Sequence, residues 1–444
     1  MKKMFFLPIV SILIAIMGIA QYKEKTNQQE SIPSIGGKKN EEPLFKPNAP
    51  VGIGRGIFPG RVVWAFDTAV SKWDGKTGYW WEEANTSQVE TNKMFHEILI
   101  GLSGQKNDAA SWNKLFVYFN ETKKKISKGY SPNEKIAIKI NQNNSNSHHD
   151  TIGLNGTPQL IYALLKSLIK EGHITPKNIT VFDASRYIQD DIFYKCHKDF
   201  PEVIFMDNSG GDGRTKSTYV ENKIPYSADN GKLATGLVTC VVEADYLINM
   251  ALMKGHIGQG VTLCAKNFYG TTNINSNFRM NAHNNFNADP QGKDRYMTFV
   301  DFLGHKDLGE KTVLFLIDNL YGARSQDGPP LLKDLWKMQP FNGRWGCSLF
   351  ASQDAVAIDA VGMDFLSSEW PDLHDLKYAD KYLLEAALAN DPPSKTFYDP
   401  ERDGSRLPSL GVLEHWNNSI DKKYSRNLGK NEGIELVYKP INNH

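Results

Sequence analysis

The stretches KIAIKIN (residues 135–141), TPQLIYALLKSLIKEG (157–172), NITVFDAS (178–185) and VIFMD (203–207) decide the fold class. Lys135–Ile140 alternates in the way of a strand. Thr157-Pro158 opens a helix with Pro in its first turn; Leu160, Ile161, Leu164, Leu165 and Leu168 form its apolar face, and Gly172 closes it. Ile179–Phe182 reads as a second strand ending at Asp183. A short helix around Ile188–His197 leads to a third strand, Val203–Met206, ending at Asp207. Strands that alternate with helices predict an α/β fold, a mostly parallel sheet covered by helices, in one large or two intimate lobes.

Outward from this centre, Val62–Phe66 reads as a strand, followed by a loop rich in Trp (Trp73, Trp80, Trp81). Helical periodicity covers Thr91–Leu102 and Asp108–Ile126. Downstream, apolar strands are expected at Leu237–Val242, Tyr246–Met250, Val313–Ile317 and Ser348–Ala351, then a helix from Asp354 to about Ser367. That helix is apolar nearly all round, so it should be buried. Asp359 sits inside it, and a buried carboxylate needs a partner, structural or functional. The polar tail at residues 421–444 is expected to wrap the surface.

At the other end, Lys2 and Lys3 precede an apolar run from Phe5 to Ile19. Gly18 and Ala20 are the small residues of a cut after Ala20. This pattern predicts a secretory signal peptide at residues 1–20, because the run is shorter than the roughly 20 residues of a spanning helix. Residues 21–50, rich in Lys, Glu, Asn, Gln, Ser and Pro, are expected to be a disordered tether, with the α/β domain over 51–420. Export makes the protein periplasmic or extracellular, with no stable transmembrane anchor.

Lys and Arg total 51 against 50 Asp and Glu. That balance lacks the basic excess of a nucleic-acid binder. Cys196, Cys240, Cys264 and Cys347 are widely spaced with no Cys-x-x-Cys, which argues against iron–sulfur and structural zinc sites. Export permits disulfides, but buried free thiols are favoured because Cys240 and Cys347 sit in apolar runs.

In α/β sheets, ligands bind beyond the carboxyl ends of the strands. Lys139 and Asn141, Asp183, and Asp318 with Asn319 all fall at such ends. The segment from Lys254 to Gly270 is the richest. Gly255, Gly258 and Gly260 let backbone approach a ligand, while Lys254, His256 and Lys266 supply charge or proton transfer. Glycine-rich backbone beside Lys suits an anionic group. His148 and His149 lie in a loop of Asn and Ser and read as solvated. The glycines of Gly52-x-Gly54-x-Gly56 follow no strand, so they are not a dinucleotide fingerprint. Trp80 and Trp81 could stack a sugar ring, but core packing is the favoured reading.

The segments Lys139-Ile-Asn141, Lys254-Gly-His256 through Lys266-Asn267-Phe-Tyr-Gly270, and Ser352-Gln-Asp-Ala-Val-Ala-Ile-Asp359-Ala together resemble the domain-of-unknown-function 362 family. Arg55-Gly-Ile-Phe-Pro-Gly-Arg61-Val-Val-Trp64 and the Trp-rich stretch look like an exported subgroup. The resemblance runs from about residue 51 to 420 and implies no particular activity. Some members carry ferredoxin-type Cys clusters, and this chain lacks them.

These residues lead to an enzyme acting on a small anionic or polyhydroxylated substrate. Lys139, Asn141, Lys254, His256, Lys266 and Asn267 are expected to line the cleft, with Asp183 and Asp318 as carboxylates. His256, Lys266 and Lys139 are the catalytic candidates; Asn141, Lys254, Asn267, Asp183 and Asp318 are the substrate-binding ones. No cofactor is assigned. A ligand- or glycan-binding module is the alternative. A metal-dependent hydrolase using Asp183, Asp318 and His256 is another, as is a racemase-like isomerase, since the Gly-His…Gly…Lys segment bears a fainter likeness to nickel-cofactor lactate racemases.

Overall fold

The computed structural model describes residues 43–273 and 295–441. The expected signal peptide and most of the expected tether lie outside them.

The central sheet has ten strands: β1 Arg61–Phe66, β2 Ile136–Lys139, β3 Ile179–Asp183, β4 Ile204–Asp207, β5 Thr215–Lys216, β6 Tyr246–His256, β7 Gly260–Thr262, β8 Thr312–Ala323, β9 Ser348–Ser352 and β10 Glu435–Pro440. Their spatial order is β10-β1-β9-β8-β6-β2-β3-β4-β5, with β7 folded back on β6. The run from β8 through β6, β2, β3 and β4 to β5 is parallel throughout. β9 runs antiparallel to both its neighbours. The expected α/β class with a mostly parallel sheet is therefore what the chain adopts.

Helices cover both faces. α1 Gln88–Ser103, α2 Asp108–Phe119, α3 Pro158–Lys166 and α4 Asp190–Asp199 form one layer. After the short helix α5 Thr239–Glu243, a second layer holds α6 Cys264–Asn267, α7 Thr298–Gly304, α8 Ala355–Glu369 and α9 Lys381–Ala387. Both layers reach β1 and β9. Val62 to Phe66 and all of β9 are buried, as strands sandwiched between helices must be. Capping follows local chemistry: the Ser87 side chain accepts from Glu90 N at the start of α1, and Gly104 ends it at φ 70°.

Three expectations are corrected. Leu237–Val242 is not one strand: Ala234–Val238 pairs with Tyr219–Pro225 in a separate ribbon, and Thr239–Glu243 turns into α5. Periodicity cannot separate strand from helix in so short an apolar run. The segment after Ile420 does more than wrap the surface, since β10 pairs in register with β1, and Tyr424 and Ile434 are buried. Residues 43–50, placed in the tether, hold a buried Phe45 whose ring stacks on His415 at 4.7 Å. The four cysteines are free thiols, and burial pushes those of Cys196, Cys240 and Cys347 up.

Candidate functional site

The strand order turns at β2. The chain leaves it toward β3 and later returns to β6 on its other side, which opens a crevice at the carboxyl ends of these strands. There lies a cavity of about 240 Å³, lined by Lys139, Asn141, Asn143, Asp183, Ser185, Arg186, His256, Thr262, Lys266, Asn267, Tyr269, Gly270, Gln326 and Asp327.

Its floor is a closed network. Lys139, only 1 % exposed, donates to the Ile140 carbonyl at 2.5 Å, to Asp183 Oδ2 at 3.1 Å and to Asn267 Oδ1 at 3.1 Å. Burial pushes the Lys139 ammonium below its ordinary range, and the Asp183 carboxylate only partly offsets this. Asp183 also accepts from Gln142 N, from Ser185 N and from the Ser185 hydroxyl. The Asn267 amide is fixed on both sides: Nδ2 donates to Asn249 Oδ1 and to the Met250 carbonyl, while Oδ1 takes Lys139 and Asn141 Nδ2. Gly270 seals the floor, because a Cβ there would stand 2.9 Å from Lys139 Nζ.

Lys266 and Asn267 ride on α6, whose first amides are held from below. Asp359, inside the buried α8, accepts from Cys264 N at 2.8 Å, Ala265 N at 2.9 Å and the Tyr382 hydroxyl at 2.9 Å. Burial pushes the Asp359 carboxyl up to about 6 despite these donors. Asp359 thus has the structural partner that burial demands, and it positions the helix that carries two cavity residues.

His256 ends β6 and is half-buried. Its Nδ1 lies 2.5 Å from the Ile257 carbonyl. A carbonyl can only accept, so Nδ1 carries a proton, and whenever the ring is neutral Nε2 is its basic nitrogen. Lys139, Arg186 and Lys266 outnumber Asp183 and Asp327 among the lining charges. The Thr262 hydroxyl is buried and has no hydrogen-bond partner among the described residues.

Six of the eight expected residues therefore meet at one cavity: Lys139, Asn141, Asp183, His256, Lys266 and Asn267. Two do not line it. Lys254 lies within β6 because that strand runs to His256 rather than stopping at Met250. Its ammonium is buried and donates to the Leu154 and Gln326 carbonyls, tying together the loops on either side. Burial pushes it down to about 7. Asp318 lies within β8, not at its end. It accepts from Thr157 N at 2.8 Å at the start of α3 and from Leu320 N at 3.1 Å. Lys139 lines the cavity, but its three donors are all met by protein acceptors. It shapes the floor of the cavity, held in place by those three acceptors.

Sequence reasoning missed Ser185, Arg186, Thr262, Gln326 and Asp327. Ser185 and Arg186 lie only two and three residues past Asp183, so the strand-end argument that selected Asp183 reaches them too. His148, read as solvated, is buried with Nε2 2.7 Å from Asp207 Oδ2, because the carboxylate ending β4 captures it. Among the described residues, no three or more His, Cys, Asp or Glu side chains gather to hold a metal ion, so Asp183, Asp318 and His256 do not form a ligand set.

The family profile described as Domain of unknown function (DUF362) matches residues 136–364, more than half of the chain. The chain belongs to this family. The DUF362 segment runs from the first residue of β2 to the buried α8 and contains every residue lining the cavity. No curated protein matches the chain.

Proposed function

We propose that this DUF362 protein is an exported enzyme that acts on a small anionic or polyhydroxylated substrate in the β2–β3–β6 cavity. The observation that carries the reading is the convergence of residues from remote segments on one polar pocket with an excess of positive charge. Its volume of about 240 Å³ lies below the range of pockets for drug-sized ligands and suits a small metabolite. His256 moves a proton at Nε2. Lys266 and Arg186 stabilise negative charge that develops on the substrate, while Asn141 orients its hydroxyl or carboxyl oxygens.

Export rests on the Lys2-Lys3 start, the apolar run and the small residues at Gly18 and Ala20. Among the described residues, no helix is long and apolar enough to cross a membrane.

Thermal-shift screening against small carboxylates, phosphates and polyols, followed by mass spectrometry for products, tests the reading. His256→Ala and Lys266→Ala should each lower turnover by about 100-fold or more with unfolding temperatures unchanged. Wild-type turnover in both variants overturns it. Saturable stabilisation with no product from any ligand makes the chain a binding module instead.

A further inference from the structure

A second concave surface lies outside the cavity. It is a shallow groove of about 520 Å³ whose walls include Tyr79, Trp81, Glu82, Asp191, Tyr194 and Lys195. Tyr79 and Trp81 stack face to face, with ring centroids 5.2 Å apart and planes 9° from parallel. The Trp81 indole N–H donates to the Thr151 carbonyl at 2.8 Å, which fixes the plane of the pair. Tyr79 is 43 % exposed and Tyr194 58 %. Exposed aromatic rings gathered at one concave surface contribute little to the core, and such patches mark binding sites.

The polar groups narrow the ligand. Acidic side chains outnumber the single cation Lys195, so the wall accepts hydrogen bonds and repels anions. Burial pushes the Asp191 carboxyl up to about 7 and encloses its Oδ1, so the accessible acceptor of this wall is Glu83, whose side chain is 59 % exposed. An aromatic face takes the C–H face of a sugar ring, and a carboxylate takes its hydroxyls. The groove also shares supports with the cavity. The loop after β2 carries Asn141 and Asn143 of the cavity and Thr151 of the groove; the segment after β3 carries Arg186 of the cavity and Asp191 of the groove.

We infer that this groove binds a neutral oligosaccharide, with sugar rings against Tyr194 and the Tyr79–Trp81 pair and hydroxyls donated to Glu83. The inference does not depend on catalysis in the cavity. Calorimetric titration of the purified chain tests it, using the tetramers of β-1,4-linked glucose and of β-1,4-linked N-acetylglucosamine, with tetragalacturonate as the anionic control. Saturable binding of at least one neutral tetramer is expected. Tyr79→Ala and Tyr194→Ala, both at exposed positions, should each weaken it by about tenfold. His256→Ala should bind as the wild type does. The inference is overturned if neither neutral tetramer binds, if both tyrosine variants bind undiminished, if tetragalacturonate binds equally well, or if His256→Ala abolishes binding, which would place the sugar in the cavity.

Discussion

Two groups of buried carboxylates in this molecule are treated differently. Around α8 they are enclosed by the core. Asp354 caps the helix through Val356 N and Ala357 N, and its second oxygen takes Arg55 N and Val412 N. Asp364 accepts from His415 Nδ1 at 2.7 Å, Trp416 N at 3.0 Å and the Tyr424 hydroxyl at 2.8 Å. Asp183, at the β2–β3–β6 crevice, is as thoroughly hydrogen-bonded and as deeply buried, yet it forms part of a cavity wall. Burial of a charge therefore does not separate structural from functional sites here. The difference lies in what surrounds the network: packed aromatic rings such as Phe365 and Trp416 in one case, an opening lined by Lys266, Arg186 and His256 in the other.

The largest effect should come from breaking the enclosed network. Burial works against charge on His415, but Asp364 outweighs it and raises the imidazole's proton affinity. Asp364→Ala strands that imidazole together with the Tyr424 hydroxyl. Urea unfolding should show a loss of about 3–5 kcal/mol, as for other broken buried pairs. A loss too small to measure would mean that the α8 carboxylates are not structural.

A smaller effect is expected at the cavity floor. Lys139→Met leaves Asp183 with the Gln142 and Ser185 donors, so its stability cost should be about 1–3 kcal/mol by the same measurement. The variant should also lose the anion stabilisation that the proposed function expects of the wild type. If it unfolds as readily as Asp364→Ala while still responding to anions, the two regions are alike and the contrast fails.

The third effect is a slope. Burial lowers the Lys254 ammonium from 10.5 to about 7, with Lys266 adding to the shift and Asp327 and Asp318 opposing it. Between those values the unfolded chain holds a proton that the folded chain has released, so stability from this group rises with pH across the window. Below about 7 both states are protonated and the buried charge works against folding. Urea midpoints of wild type and Lys254→Met at pH 7 and pH 10 should therefore diverge in favour of the wild type at the higher pH. A constant difference would show that Lys254 keeps its proton when folded.

Local pattern revealed the middle of the sheet because β2, β3 and β4 are compact apolar runs with a polar residue at each end. The meeting of Lys139, Asn141 and Asp183 followed from that, since neighbouring parallel strands share an edge. Strand ends were less readable where polar residues or glycine interrupt a strand that continues. Asp318 and Asn319 read as the end of the Val313–Ile317 strand, yet β8 runs through them to Ala323 with a register shift between Asp318 and Ala323. This misplaced Asp318 and hid Gln326 and Asp327, which lie just past the true end. Lys254 was misread in the same way, because β6 outlasts its apolar run by pairing with β7. Nothing local announces that Asp359 would hold α6, since that contact joins residues 95 positions apart.

The pairing of β10 with β1 has a consequence in time. Arg61 Nε meets Glu435 Oε2 at 2.7 Å across a separation of 374 residues. Val62 and Val63 must therefore wait until Leu436 and Val437 have been synthesised before their neighbour on that side exists. Until then β1 offers an unpaired apolar border, the kind of surface on which nascent chains associate with one another. The vulnerable period of this protein is thus its own manufacture, and it closes only when the chain has been made as far as Pro440.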